Sequence, residues 1–322
     1  MRTAPWRWRR FADANLRFRV MLPNPSPLLT GLGLCPILIV LASCIAPALA
    51  ATDGDGAAAN APAAVALAAH IQIDGVAEQG ALLRGRVTPA TGRLTRDGES
   101  IALASDGSFL LGFDRDATGS VTLRLDPGNG AAPVERRLDI AARSWALQHI
   151  NAPMRGAARS DADFEARRPG EIAQMVAARR TVVTSDGWRQ QFIWPLRGRI
   201  SGVFGSQRIY QGTPGSFHNG VDVAAPTGTP YVAPADGVVI LAATTPFTLE
   251  GYLLMIDHGM GLSSVFLHSN RLVVHTGDIV RQGQHLGDVG ATGRVTGPHL
   301  HWAMRWQGAK IDAARLPGPM TP

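Results

Sequence analysis

Cysteine is nearly absent from this chain of 322 residues, and its two cysteines, Cys35 and Cys44, both lie near the N-terminus. A zinc site closed by thiolates or a framework of disulfides is therefore excluded for the rest of the chain. Lysine is rarer still, because Lys310 is the only one. Any metal site must be built from imidazole and carboxylate groups.

The net positive charge is also small once the N-terminal segment is set aside. The formal net charge is +6, but residues 1–50 hold six arginines against a single aspartate. The rest of the chain is therefore nearly neutral, with a net charge of +1. This balance disfavours a nucleic-acid-binding function, which depends on a basic surface.

Long apolar runs are confined to the first 50 residues, which have the pattern of an export signal. A basic stretch precedes the apolar run from Leu28 to Ile45, and Ala48-Leu49-Ala50 fits the small-residue rule for cleavage before Ala51. We expect secretion across the inner membrane into the periplasm or cell envelope. Two alternatives stay open: the leader is retained as a membrane anchor, or Cys44 carries a lipid.

Shifts in composition divide the remaining residues into four segments. An Ala-rich tether over 51–68 has too little large apolar surface to form a core. Short strand-like runs separated by Asp-Gly turns over 69–145 predict a small, Ig-like β-sandwich. Residues 146–190 are predicted to be a helical linker, helical from 160 to 181 with a break at Pro169-Gly170. Residues 191–316 again favour strands, so the protein is expected to be mainly β.

Candidate metal ligands lie in two stretches of the C-terminal segment, His218-Asn219-Gly220-Val221-Asp222 and Gly297-Pro298-His299-Leu300-His301-Trp302. Together they supply three metal ligands and a spare imidazole, the composition of a catalytic zinc site with a position left for water. On a strand, His299 and His301 point the same way. A turn at Asn219-Gly220, a pair suited to positive φ, before a strand that starts at Val221 brings the first stretch together.

At these residues the chain resembles the LytM/lysostaphin-type zinc endopeptidases, which hydrolyse peptide bonds in bacterial peptidoglycan. Their pattern is His-x-x-x-Asp, a later aromatic-x-His, and finally His-x-His. The resemblance runs from about residue 194 to 315 and implies an antiparallel β-sheet peptidase domain with one zinc ion per chain. By resemblance the zinc ligands are His218, Asp222 and His301, and the unliganded catalytic histidines are His268 and His299.

The resemblance implies a peptidoglycan endopeptidase whose partners are stem peptides and cross-bridges. The sequence leaves open which of His268 and His299 is the base, and we favour His299 because its strand places it beside the ligand His301. The alternative is a non-catalytic LytM-like protein that binds the cell wall or activates a separate hydrolase. Loss of a zinc ligand marks that class, and none is missing here. Contact with a membrane is expected only through the leader or a lipid at Cys44.

Several other features are given structural roles. Residues around Ala235 and Val274 resemble the strand pattern of biotinyl and lipoyl carriers, but the lysine that such carriers need is absent from that region. His258 is expected in a loop held by local hydrogen bonds. The expected surface residues are His70, His275 and His285, and the expected turn formers are Asp236 and Asp288. Because the upstream segments lack a catalytic set, we expect a fragment that starts near Trp188 to fold, to bind zinc and to cleave peptidoglycan. The upstream part is expected to change the rate or the localisation but not the bond that is cut.

Overall fold

The computed structural model of the protein describes residues 68–128, 130–152 and 162–320. The predicted leader and all but the last residue of the tether lie outside these residues. The described residues belong to one compact unit, Ala64–Pro322, and strands far outnumber helices. The mainly β prediction is confirmed. Among the described residues, no helix has the length and hydropathy that crossing a bilayer requires.

The predicted β-sandwich is present as seven antiparallel strands in two sheets. One sheet has the order β1-β2-β5 and the other β4-β3-β6-β7. Alternate residues of the two sheets, among them Leu83 and Phe109 on one and Leu94 and Leu123 on the other, are buried in a shared apolar core. The strands are β1 (His70–Asp74), β2 (Leu82–Thr88), β3 (Arg93–Arg96), β4 (Glu99–Ser100), β5 (Ser108–Gly112), β6 (Ser120–Asp126) and β7 (Val134–Asp139).

The linker contains a strand as well as a helix. Strand β8 (Leu147–Ile150) comes before helix α1 (Ala162–Ala178). The predicted break at Pro169-Gly170 is wrong, because α1 is continuous through both residues. Pro169 removes one backbone hydrogen bond, but Arg167 and Arg168 form ion pairs with Glu171 across the proline, at 3.4 and 3.2 Å. These contacts hold the two halves of the helix in line.

The C-terminal segment is built around an eight-stranded antiparallel sheet. Its order is β18-β14-β15-β16-β20-β12-β9, with β21 paired to β20. Two smaller sheets have the orders β13-β19-β17 and β11-β10-β8, so the linker strand β8 joins this segment. The strands are β9 (Arg199–Gly202), β10 (Gln207–Tyr210), β11 (Thr213–Phe217), β12 (Val221–Ala224), β13 (Pro230–Val232), β14 (Gly237–Ala242), β15 (Tyr252–Asp257), β16 (Leu262–Ser269), β17 (Arg271–Leu272), β18 (Ile279–Val280), β19 (His285–Asp288), β20 (His299–Trp306) and β21 (Ala309–Ile311).

The sandwich packs directly on this sheet. Gly112 lies so close to Trp306 that a methyl group at Gly112 would come within 2.8 Å of the indole. Arg143 forms an ion pair at 3.0 Å with the buried Asp312. The guanidinium of Arg115 lies 5.0 Å from the ring of Phe217, the residue before His218. The sandwich therefore touches the segment that leads into the candidate site.

Candidate active site

Strand pairing brings the two predicted metal-binding stretches together. Strands β12 and β20 are antiparallel neighbours, and Asp222 lies directly opposite His301 in their register. Residues opposite each other in an antiparallel pair project from the same face of the sheet. His218 precedes β12 and folds back over this face, so that its imidazole reaches both Asp222 and His301.

Three ligand atoms form a compact triangle at this point. His218 Nε2 lies 3.1 Å from Asp222 Oδ1 and 3.1 Å from His301 Nδ1, and those two atoms are 2.9 Å apart. Within the described part of the chain, this is the one group of three or more His, Cys, Asp or Glu side chains close enough to hold a metal ion. Zinc bonds of about 2.0–2.1 Å in a tetrahedral site separate the ligand atoms by roughly 3.3 Å. The triangle therefore fits a zinc ion with little adjustment.

The chemistry of the three atoms also suits a cation. His218 Nδ1 lies 3.0 Å from Val203 O, so its N–H can donate there and Nε2 keeps a lone pair for the site. Burial alone raises the pKa of Asp222, but the hydrogen bonds and charges of His218 and His301 outweigh it and hold that pKa far below its usual range. Asp222 is therefore ionised. Two imidazole lone pairs and a carboxylate that converge within about 3 Å repel one another unless a cation or a proton lies between them.

Two glycines make room for the triangle. A methyl group at Gly220 would lie 2.7 Å from His301 Nε2, and one at Gly202 would lie 2.3 Å from Asp222 Oδ2. The expectation of positive φ at Asn219-Gly220 is wrong, because neither residue has it. What position 220 requires is the absence of a side chain beside His301.

His268 reaches the site only because β16 is irregular. Leu267 is opposite His301 in register and shares its face, so regular alternation would turn His268 to the other face. The pairing of β16 with β15 slips between Phe266 and Ser269, and His268 has a φ of 67°. This β-bulge turns the imidazole back towards the site. Such a backbone conformation costs on the order of 1–3 kcal/mol in a residue other than glycine and needs support from its surroundings.

His268 and His299 lie side by side next to the triangle. Their ring centroids are 5.2 Å apart, and the ring of His268 is 6.2 Å from that of His301. His268 Nδ1 is 2.9 Å from Thr292 O, and His299 Nδ1 is 2.9 Å from Gly297 O. An N–H at each Nδ1 can donate to its carbonyl, which leaves each Nε2 free. His299 Nε2 lies 3.6 Å from Asp222 Oδ1.

Burial also sets the protonation of His268. It lowers the pKa of His268 to about 4, and the hydrogen bond to Thr292 O only partly opposes this effect. The imidazole is therefore neutral near pH 7. In that state Nδ1–H donates to Thr292 O, and Nε2 is an acceptor that faces the site.

The other histidines and acids are not part of this cluster. His258 is fully buried and bridges Asp236 O and Ser264 Oγ, each at 2.8 Å. Ser264 Oγ also accepts from Trp302 Nε1 at 3.2 Å, so this network supports the residue that follows His301. His285 is half-buried rather than exposed, because it pairs at 2.8 Å with the buried Asp288. The partners of the buried His258 could not be identified from the sequence, since only the sheet brings them together.

Comparisons with known proteins point to one family. The sequence pattern of "Peptidase family M23" matches residues 216–313, which contain all five site residues. The peptidoglycan DD-endopeptidase ShyA of Vibrio cholerae is 38% identical over 132 residues, which are 41% of this chain and 30% of ShyA. The cell division protein DipM of Caulobacter vibrioides is 37% identical over 129 residues, 40% of this chain and 20% of DipM. The chain thus spans less than a third of the length of these curated relatives.

One solved structure is similar over most of the chain. It is a putative peptidase M23 from Pseudomonas aeruginosa, with a TM-score of 0.57 and 26% sequence identity, and the match covers 76% of this chain and 96% of that one. This coverage is much larger than residues 216–313, so the structural likeness extends into segments upstream of the family match.

Proposed function

Residues 216–313 are a domain of peptidase family M23, and on that premise we propose that the protein is a zinc-dependent endopeptidase that hydrolyses peptide cross-links of bacterial peptidoglycan. The observation that carries the proposal is the triangle of His218 Nε2, Asp222 Oδ1 and His301 Nδ1, with sides of 2.9–3.1 Å. The names of the DD-endopeptidase relatives support peptidoglycan as the substrate.

In this proposal, His218, Asp222 and His301 hold one zinc ion. Zinc held there would act as a Lewis acid on the scissile carbonyl and would lower the pKa of the attacking water towards about 7. The protein itself holds the three ligands on one face of the sheet and leaves that face open to substrate. The half-buried side chains of His218 and Asp222, each about a fifth exposed, are consistent with such access.

The two remaining histidines divide the proton transfers and the stabilisation of the oxyanion. Both ring nitrogens of His299 face oxygen atoms, Gly297 O at 2.9 Å and Asp222 Oδ1 at 3.6 Å, so its surroundings consist of hydrogen-bond acceptors. His268 faces the site with an acceptor nitrogen. These surroundings favour His268 as the base and His299 as the oxyanion donor, the reverse of the assignment expected from the sequence.

The non-catalytic alternative has less support. A protein that only binds the cell wall has no need for three converging metal ligands and two further imidazoles on the same sheet face. The described residues keep this complete set together. We therefore place the protein with the enzymes of the family, and we propose the periplasm or cell envelope as its location, with Ala51 as the mature N-terminus. N-terminal sequencing of the exported protein tests that location, and an intact leader would contradict it.

Digestion of purified peptidoglycan tests the function. The zinc-loaded full mature chain is incubated with cross-linked sacculi, and the soluble fragments are identified by mass spectrometry. Conversion of cross-linked fragments into monomers with a new free amine and carboxylate is expected. Fragments that contain only cut glycan or a cleaved sugar-peptide amide bond would contradict an endopeptidase.

A further inference from the structure

Helix α1 lies on the same sheet face as His301 of the candidate site, although it precedes residues 216–313. Its residues Met175 and Ala178 are buried in one apolar cluster with Val265 of β16 and Ala303 of β20. Ala303 is two residues beyond His301 on β20 and therefore shares its face. Helix α1 thus closes one end of the surface on which the metal ligands lie.

Polar contacts tie α1 to the β14–β15 loop, residues 243–251. The Glu171 carboxylate is only 4% exposed and accepts hydrogen bonds from Thr248 N at 2.7 Å and Thr248 Oγ at 2.6 Å. Arg168 donates to both carboxylate oxygens of Glu250, at 2.6 and 2.9 Å, in a two-pronged ion pair. Arg168 also pairs with Glu171 at 3.2 Å, which links the two contacts. Charge-assisted pairs of this geometry fix position as well as adding stability.

The same loop holds the backbone of His268. Glu250 O accepts a hydrogen bond from His268 N at 2.8 Å, at the bulge where His268 has positive φ. Leu249 O accepts from Arg294 N at 3.0 Å, in the segment that contains Thr292. Thr292 O in turn accepts from His268 Nδ1. The loop therefore supports both the backbone and the imidazole of His268, and α1 holds the loop.

We propose that α1 supports catalysis by the peptidase and that Arg168 and Glu171 are positioning residues for His268. They act through the β14–β15 loop and touch neither substrate nor metal. The alternative role for α1 is to cover apolar residues of the sheet. That alternative needs the apolar face of α1 but gives no role to a buried carboxylate and a two-pronged ion pair directed at a single loop. This inference rests on the proposed function.

The test compares Arg168→Met with Arg137→Met in the full mature chain. Methionine keeps the apolar stem of arginine and removes its charge. Arg137 forms an exposed ion pair with Asp139 in the sandwich and is the matched control. Arg168→Met is expected to lower kcat about 10-fold, the usual scale for the loss of a supporting contact, with little change in KM or zinc content. Arg168→Lys is expected to recover part of the loss. Arg137→Met is expected to behave as wild type.

Two further measurements distinguish positioning from a general loss of stability. Glu250→Gln removes the charge of the carboxylate that pairs with Arg168. The double variant Arg168→Met/Glu250→Gln is expected to have a kcat no lower than that of the slower single variant, because both substitutions act through one contact. Amide hydrogen exchange in residues 244–251 and at His268 is expected to be faster in Arg168→Met and unchanged in Glu165→Ala, an exposed substitution on the same helix.

The outcomes are separable. Wild-type kcat together with wild-type exchange in Arg168→Met would overturn the proposal, as would a loss of zinc with no change in exchange. If the wild-type protein cleaves no peptidoglycan, the proposed function fails. The exchange comparison then still shows whether α1 holds His268.

Discussion

Asp222 and His301 face each other across the antiparallel pair β12 and β20, with Asp222 Oδ1 2.9 Å from His301 Nδ1. Their separation is fixed by the backbone pairing of two inner strands of an eight-stranded sheet, so two of the three proposed ligands need no loop to place them. His218 is the only one of the three that depends on a connecting segment. Most of the proposed metal site is therefore positioned by the fold itself.

This arrangement predicts that each ligand is needed for metal binding. His218→Ala, Asp222→Ala and His301→Ala should each lower zinc content sharply, because two ligands remain where three are required. Metal analysis of the purified proteins after dialysis checks this. His275→Ala, an exposed histidine outside the cluster, is the control. Stoichiometric zinc in His301→Ala would contradict the assignment.

The two glycines beside the triangle should also be sensitive to substitution. Gly220→Ala places a methyl group against His301, and Gly202→Ala places one against Asp222. Zinc affinity, measured by competition with a chelator, should fall by about 10-fold or more in each variant, since the ligands must shift. Gly308→Ala, which has open space around it, should bind zinc as wild type does. Unchanged affinity in both site variants would mean that the triangle is more flexible than the structure indicates.

Loss of the two unliganded histidines should separate metal binding from catalysis. His268→Ala and His299→Ala should keep zinc and lose roughly 10²-fold or more in kcat, the usual scale for a positioned acid or base. Paired measurements of zinc content and rate on the same samples check this. Loss of zinc in either variant would show that a ligand has been misassigned, and near wild-type rates in both would favour a different mechanism.

His258 should make stability depend on pH. Burial lowers its pKa to about 4, so the folded protein holds it neutral where the unfolded chain, with an ordinary pKa of about 6.5, takes up a proton. Its contribution to stability is complete above about pH 6.5 and is lost as the pH falls towards about 4. His258 alone can change the free energy of unfolding by at most about 1.4 kcal/mol per pH unit.

Urea unfolding of metal-free wild type and His258→Gln across this range measures the effect. The wild-type free energy of unfolding should fall more steeply with acid than that of the variant. Metal is removed because zinc binding to the proposed ligands releases protons and would add its own pH dependence to the stability. Parallel pH profiles for the two proteins would show that His258 does not carry this slope.

Much of the fold and the site could be predicted from the sequence, because both depend on local pattern. Asp-Gly turns between short apolar runs predicted the sandwich, and the spacing of His299 and His301 predicted a shared strand face. Their common face is confirmed by the register of β20 with β12. The continuity of α1 through Pro169 could not be predicted, since the contacts that offset the proline come from side-chain pairs and from packing on a distant sheet.

The contacts that position His268 could not be predicted from the sequence either. The bulge that turns His268 into the site arises from the pairing of β16 with β15, and its hydrogen bond to Glu250 O joins a loop that α1 also contacts. This packing gives a physical reason for the expectation that the upstream part changes the rate. A fragment that starts near Trp188 lacks α1 and uncovers Trp306, so we expect it to be less stable and slower than the full mature chain.

Zinc-dependent cleavage is tested most directly by the rate of peptidoglycan cross-link hydrolysis, measured as a function of zinc occupancy in a single preparation. Zinc is removed with a chelator and restored in steps, and the rate and the metal content are measured on the same samples. The rate should rise in proportion to bound zinc up to one ion per chain, and His301→Ala should show no cleavage at any step. An unchanged rate in the zinc-free protein would contradict this prediction.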